Sequence, residues 1–74
     1  NKQTKAWRAL WMSRYENALS QRDDHQSGRI CWDTATYLYL SGKDPRVAAR
    51  ECAHPYKWEG PDNEHLSHIR NCSP

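Results

Sequence analysis

The sequence has no phenylalanine, one methionine, three glycines, four prolines and three cysteines. Each scarcity excludes something. So few glycines and prolines exclude a low-complexity linker. No apolar run approaches the ~20 residues that span a bilayer, so no membrane segment is expected. No signal-peptide pattern is legible. An odd number of cysteines argues against a disulfide scaffold and favours a reducing cytoplasm. There is no phosphate-cradling glycine loop and no G-x-S-x-G turn.

What is present is aromatic and polar. Trp7, Trp11, Trp32 and Trp58 stand beside Tyr15, Tyr37, Tyr39 and Tyr56 in a chain whose mean hydropathy is −1.15. Each ring buries about 150–250 Å² when enclosed, which offsets the polar bulk. The 74 residues make one domain. At this size about 60% of the unfolded chain's surface is buried on folding, too little for a deep substrate cleft. The net charge is +2, split as +3 over residues 1–30 (Lys2, Lys5, Arg8, Arg14, Arg22 and Arg29 against Glu16, Asp23 and Asp24) and −1 over the rest. A dedicated non-specific nucleic-acid binder is usually more basic.

Hydrophobic spacing predicts a mainly α fold of about four short helices, with a short strand pair as an option. Over residues 4–20, Trp7, Leu10, Trp11, Tyr15, Ala18 and Leu19 recur at helical intervals, with Thr4 as N-cap. Residues 20–29 read as a polar loop with Gly28 near its end. Residues 30–41 fit either a helix, with Trp32, Ala35, Leu38 and Tyr39 on one face, or a strand through Tyr37–Leu40. Gly42 sits where a glycine ends a helix, and Asp44-Pro45 is a cap followed by a first-turn proline. The next helix is expected over about 44–53, with Val47, Ala48 and Cys52 inward and Lys43, Arg46 and Arg50 outward. Residues 54–61 form a proline-containing loop whose Tyr56 and Trp58 fold back. A last helix runs from Asp62 to about Asn71, with Leu66 and Ile69 on one side. No internal repeat is visible.

One constellation carries metal chemistry. Cys52, His54, His68 and Cys72 form C-x-H … H-x3-C, with His65 nearby, and sulfur with imidazole suits tetrahedral Zn²⁺. The one-residue gap in the first pair is shorter than usual. The competing reading makes Cys52 a small buried apolar residue and the histidines surface groups. Cys31, at the start of the second helix, reads as core packing. Asp23-Asp24, Glu59, Asp62 and Glu64 read as solvated charge and helix caps. No catalytic constellation is found, so the chain is not expected to be an enzyme, and no cofactor is required.

Binding is the remaining class. Trp, Tyr and Arg dominate interface hot spots. Arg8, Arg14, Tyr56, Lys57 and Trp58 are the candidate contacts with a protein partner. The alternative is a helix-turn-helix over residues 30–53 in which Lys43, Arg46 and Arg50 meet DNA. Leu38 stands against that motif, because close helix crossing there favours a small residue.

The segments AWRALWMSRY and CWDTATYLYLSG, on a short polar chain, resemble the small regulators of host RNA polymerase encoded by lytic Xanthomonas phages. The resemblance implies a monomer in the bacterial host cytoplasm that grips the β and β′ subunits, displaces the σ factor and inhibits initiation. Antitermination is implied as a second effect. It implies no zinc site and carries over no individual residue.

Overall fold

The computed structural model describes residues 4–72, so Lys2 lies outside the described residues. The domain is all-α: α1 is Lys5–Leu19, α2 Trp32–Leu40, α3 Pro45–Glu51 and α4 Asp62–Arg70. Among the described residues there is no strand. The optional strand pair reduces to one isolated bridge between Ile30 and Tyr56.

Local chemistry sets the helix ends. The Thr4 hydroxyl accepts from the Trp7 amide at 3.2 Å, satisfying one of the orphan donors at the start of α1. α2 is a helix through the ambiguous Tyr37–Leu40 stretch and stops at Ser41. Gly42 follows with φ +81°, a conformation that costs glycine no Cβ clash. Asp44 accepts from the amides of Arg46 and Val47, and Pro45 opens α3.

α1 packs chiefly along α3, while α4 meets the rest through α2. The core contains Trp11, Tyr15, Leu19, Ala35, Leu38, Ala48, Ala49, Cys52 and Cys72. Trp11 stacks on Tyr15 with ring centroids 5.0 Å apart and meets Tyr39 edge-on at 5.8 Å. Its indole N–H donates to the Lys43 carbonyl at 2.8 Å, so the largest ring of the core leaves no orphan donor. Arg22, just after α1, donates to the Ala49 and Cys52 carbonyls at 2.8 Å each. These are free carbonyls at the end of α3, where a cation also suits the helix dipole. Asp24 holds the other side of the same guanidinium.

Four sequence expectations are corrected. α3 ends at Glu51, short of residue 53. Trp32 is 52% exposed, because Thr34 rather than Trp32 joins Ala35 and Leu38 on the buried face of α2. In α4 it is His68 that turns inward, and Leu66 faces solvent. Finally, Cys52 and Cys72 form a disulfide, so the odd cysteine count does not exclude one; Cys31 remains a buried free thiol.

Candidate functional site

Two features stand apart from the packing. The first is the corner where α3 ends and α4 finishes. Cys52 closes α3, and its amide returns to the Ala48 carbonyl at 3.0 Å. The chain then runs extended past Ile30, with Cys31 donating to Pro55 and Lys57 donating to Arg29 through their backbone amides. That pairing places His54 at the corner and buries Tyr56 at 8% exposure. The Trp58 indole donates to the Pro61 carbonyl at 3.2 Å, closing the turn into α4. A Cβ on Gly60 would collide with the Trp58 ring, so this turn requires glycine.

α4 then delivers His68 and Cys72 to the same corner. The His54 and His68 rings lie 4.5 Å apart, and Trp58 covers His68 at 4.8 Å. His65 is 6.2 Å from His68 and meets Asp33 of α2 at 3.2 Å. The four sequence-predicted metal ligands therefore fall into two close pairs, Cys52 with Cys72 and His54 with His68. With the two sulfurs bonded to each other they are not thiolate ligands. In this state no group of three or more His, Cys, Asp or Glu among the described residues is arranged to hold a metal ion.

His68 is 7% exposed, and its Nε2 has no hydrogen-bond partner. Burial is the main cause holding its pKa below the usual imidazole value; the neighbouring His54 and His65 act the same way, while backbone hydrogen bonds at His54 and Tyr56 oppose them. The unfolded ring titrates near ~6.5, above the folded one, so acid favours unfolding. This contribution to stability is complete above ~6.5 and is lost as the pH falls through the folded value. The urea midpoint of the disulfide-bonded protein is expected to drop between about pH 7 and about pH 5.5, with a shallower drop for His68→Asn. Equal slopes for both proteins would place the pH dependence elsewhere.

The second feature is the start of α1. Trp7 and Leu10 are each 42% exposed. With Trp11, Arg14, Tyr39 and Pro45 they line a shallow groove of about 270 Å³. The chain matches no family model, no curated protein and no solved structure.

The remaining sequence-predicted contacts divide by position. Arg8 and Arg14 are exposed on α1, and Arg14 rims the groove. Lys57 and Trp58 line a separate depression of about 540 Å³ with Arg29, Trp32 and His65. Tyr56 is buried and drops out of any contact surface. Of the three candidate DNA contacts, Arg46 and Arg50 are exposed on α3. Lys43 is only 17% exposed and pairs with Glu51 at 3.2 Å, which occupies its charge. Sequence reasoning missed the groove because Trp7 and Leu10 read as core. The signal available was an aromatic stripe longer than its partner helix.

Proposed function

We propose that this chain is a phage transcription regulator that binds the host's bacterial RNA polymerase through the exposed start of α1. The observation that carries the reading is the groove flanked by Trp7 and Leu10, with Arg14 on its rim. Tryptophan and arginine beside a partly desolvated hollow are the side chains and setting in which interface energy concentrates. The resemblance of AWRALWMSRY and CWDTATYLYLSG to small phage regulators supplies the partner. On this reading the chain seats on the β and β′ subunits, displaces σ to inhibit initiation, and permits readthrough at terminators. It works in the host cytoplasm as a monomer and without a catalytic step. No helix among the described residues is long and apolar enough to cross a membrane.

The test immobilises the full chain and passes purified Xanthomonas core polymerase and σ-holoenzyme over it. Retention of β and β′ with release of σ is expected. Trp7→Ala with Leu10→Ala should weaken retention by about 30-fold or more, the effect of losing one hot spot of ~2 kcal/mol. Both side chains are substantially exposed, so the fold should survive. A wild-type chain that retains no polymerase overturns the reading.

One observation favours the DNA-binding alternative. Arg46 and Arg50 share a depression of about 270 Å³ with Arg22, Asn17, Ala18 and Gln21, and no carboxylate lines it. Binding of duplex DNA that weakens steeply with salt and disappears in Arg46→Ala with Arg50→Ala would support it.

A further inference from the structure

The His54–His68 corner has the composition of a metal centre and the covalent state of a closed disulfide. Two close pairs, the bonded Cys52–Cys72 and the His54–His68 rings 4.5 Å apart, are each supplied by one residue at or just after the end of α3 and one residue of α4 or its end. His68 is more than nine-tenths buried, and its Nε2 has no partner. A buried ring nitrogen left unbonded is an unmet acceptor or donor. For a neutral imidazole, a metal ion is a natural partner at that lone pair. Asp33 holds His65 by its Nε2, and the His65 ring lies 6.2 Å from His68, so the tilted His54 ring at 4.5 Å is the nearer imidazole. His54 is exposed, so the corner is open to solvent on that side.

We propose that Cys52, His54, His68 and Cys72 form a redox-gated Zn²⁺ site, closed as a disulfide when oxidised and metal-binding when reduced. A cellular dithiol is the reductant. It gives two electrons and two protons and becomes a disulfide itself; the Cys52–Cys72 bond breaks, and each sulfur gains one proton. Zn²⁺ then displaces both thiol protons to solvent and takes two thiolates and two neutral imidazoles, with no change in its oxidation state. This donor set matches the preference of structural zinc for sulfur and nitrogen in a closed tetrahedron. Cys52 and Cys72 thus tie the end of α3 to the end of α4 in either state, through sulfur or through metal.

The test uses the full chain, reduced with a phosphine under anaerobic conditions, and Co²⁺ as a spectroscopic probe. One equivalent of Co²⁺ is expected to bind, with thiolate-to-cobalt charge transfer and tetrahedral ligand-field bands that Zn²⁺ then bleaches. About two protons should be released per ion, as deprotonated ligands require. The oxidised protein should show none of these bands. His54→Asn and His68→Asn should each weaken affinity tenfold or more, and His65→Asn should leave it unchanged. Because His54 is exposed, its variant should fold even if the His68 variant does not. A reduced wild type without the thiolate–cobalt band overturns the proposal, as does a His54→Asn variant that binds as tightly as wild type.

Discussion

Tyr15→Ala is expected to lower the stability of the domain by about 3–5 kcal/mol. Tyr15 is fully buried, and its ring stacks on Trp11 one turn earlier on the buried face of α1. Removing a large buried aromatic ring costs about 3–5 kcal/mol, part transfer and part cavity. At ~0.05–0.15 kcal/mol per residue, a chain of this length has roughly 4–11 kcal/mol in total. One substitution therefore consumes between about a quarter and all of it. Neighbouring Leu19 and Leu38 are themselves fully buried, so collapse into the cavity would disturb the rest of the core. Tyr15→Phe is the informative control. It keeps the stack and removes a hydroxyl that is buried without a hydrogen-bond partner. Burial, with Cys31 second, raises the pKa of that phenol, so the ring is neutral at physiological pH and no charge is lost. An unmade buried hydrogen bond costs about 1–3 kcal/mol, so the phenylalanine variant should match or exceed wild type. Urea unfolding followed by circular dichroism separates the two variants. A Tyr15→Ala midpoint equal to wild type would show that burial of the Tyr15 ring does not stabilise the core.

Much of the fold was legible because it is set by local chemistry. Thr4, Gly42 and Asp44-Pro45 act through hydrogen bonds and backbone preferences within a few residues, and all behave as their sequence context predicts. What failed was long-range. The stripe on α1 gives a buried face but not how far its partner extends. At 1.5 Å per residue α1 is about 22 Å long and α3 about 10 Å. Trp11 reaches the Lys43 carbonyl just before α3 and Arg22 the Ala49 carbonyl within it, so Trp7 and Leu10 lie at the edge of that contact, beside Pro45, and that edge is the candidate binding surface. The rotation of α4 was similarly hidden. Leu66 and Ile69 are the apolar residues of its pattern, but the bond at Cys72 turns His68, four residues earlier, inward instead. Tyr56 is buried by pairing with Ile30, a contact between distant segments that neither segment announces. The candidate metal ligands were legible as a set of donor types. Their state was not, because oxidation depends on the compartment as well as on the residues.

Opening the Cys52–Cys72 bond in the absence of metal should produce the second large effect. The two cysteines are 20 residues apart in sequence. Closing a loop of that size stabilises a domain by about 3 kcal/mol in the chain-entropy account. At roughly 4–8 °C per kcal/mol for a domain of this size, the Tm should fall by about 12–24 °C on reduction or in Cys52→Ser with Cys72→Ser. The loss should also be local. α4 meets the other helices through α2, and Leu66 is 59% exposed, so little apolar burial would hold α4 in place once the bond is gone. Amide exchange in residues 62–70 should accelerate well before that in α1 and α3, as expected of a unit with few buried contacts. Zn²⁺ should reverse both effects in the reduced wild type and neither in the serine variant. At a thousandfold excess over its dissociation constant a ligand contributes about 4 kcal/mol, enough to offset the lost cross-link. A reduced, metal-free protein that melts within two or three degrees of the oxidised one, with unchanged exchange in α4, would mean that helix packing alone fixes this corner. The opposite result would show that the covalent tie and the metal tie hold the same two points, so that the fold is kept in either redox state.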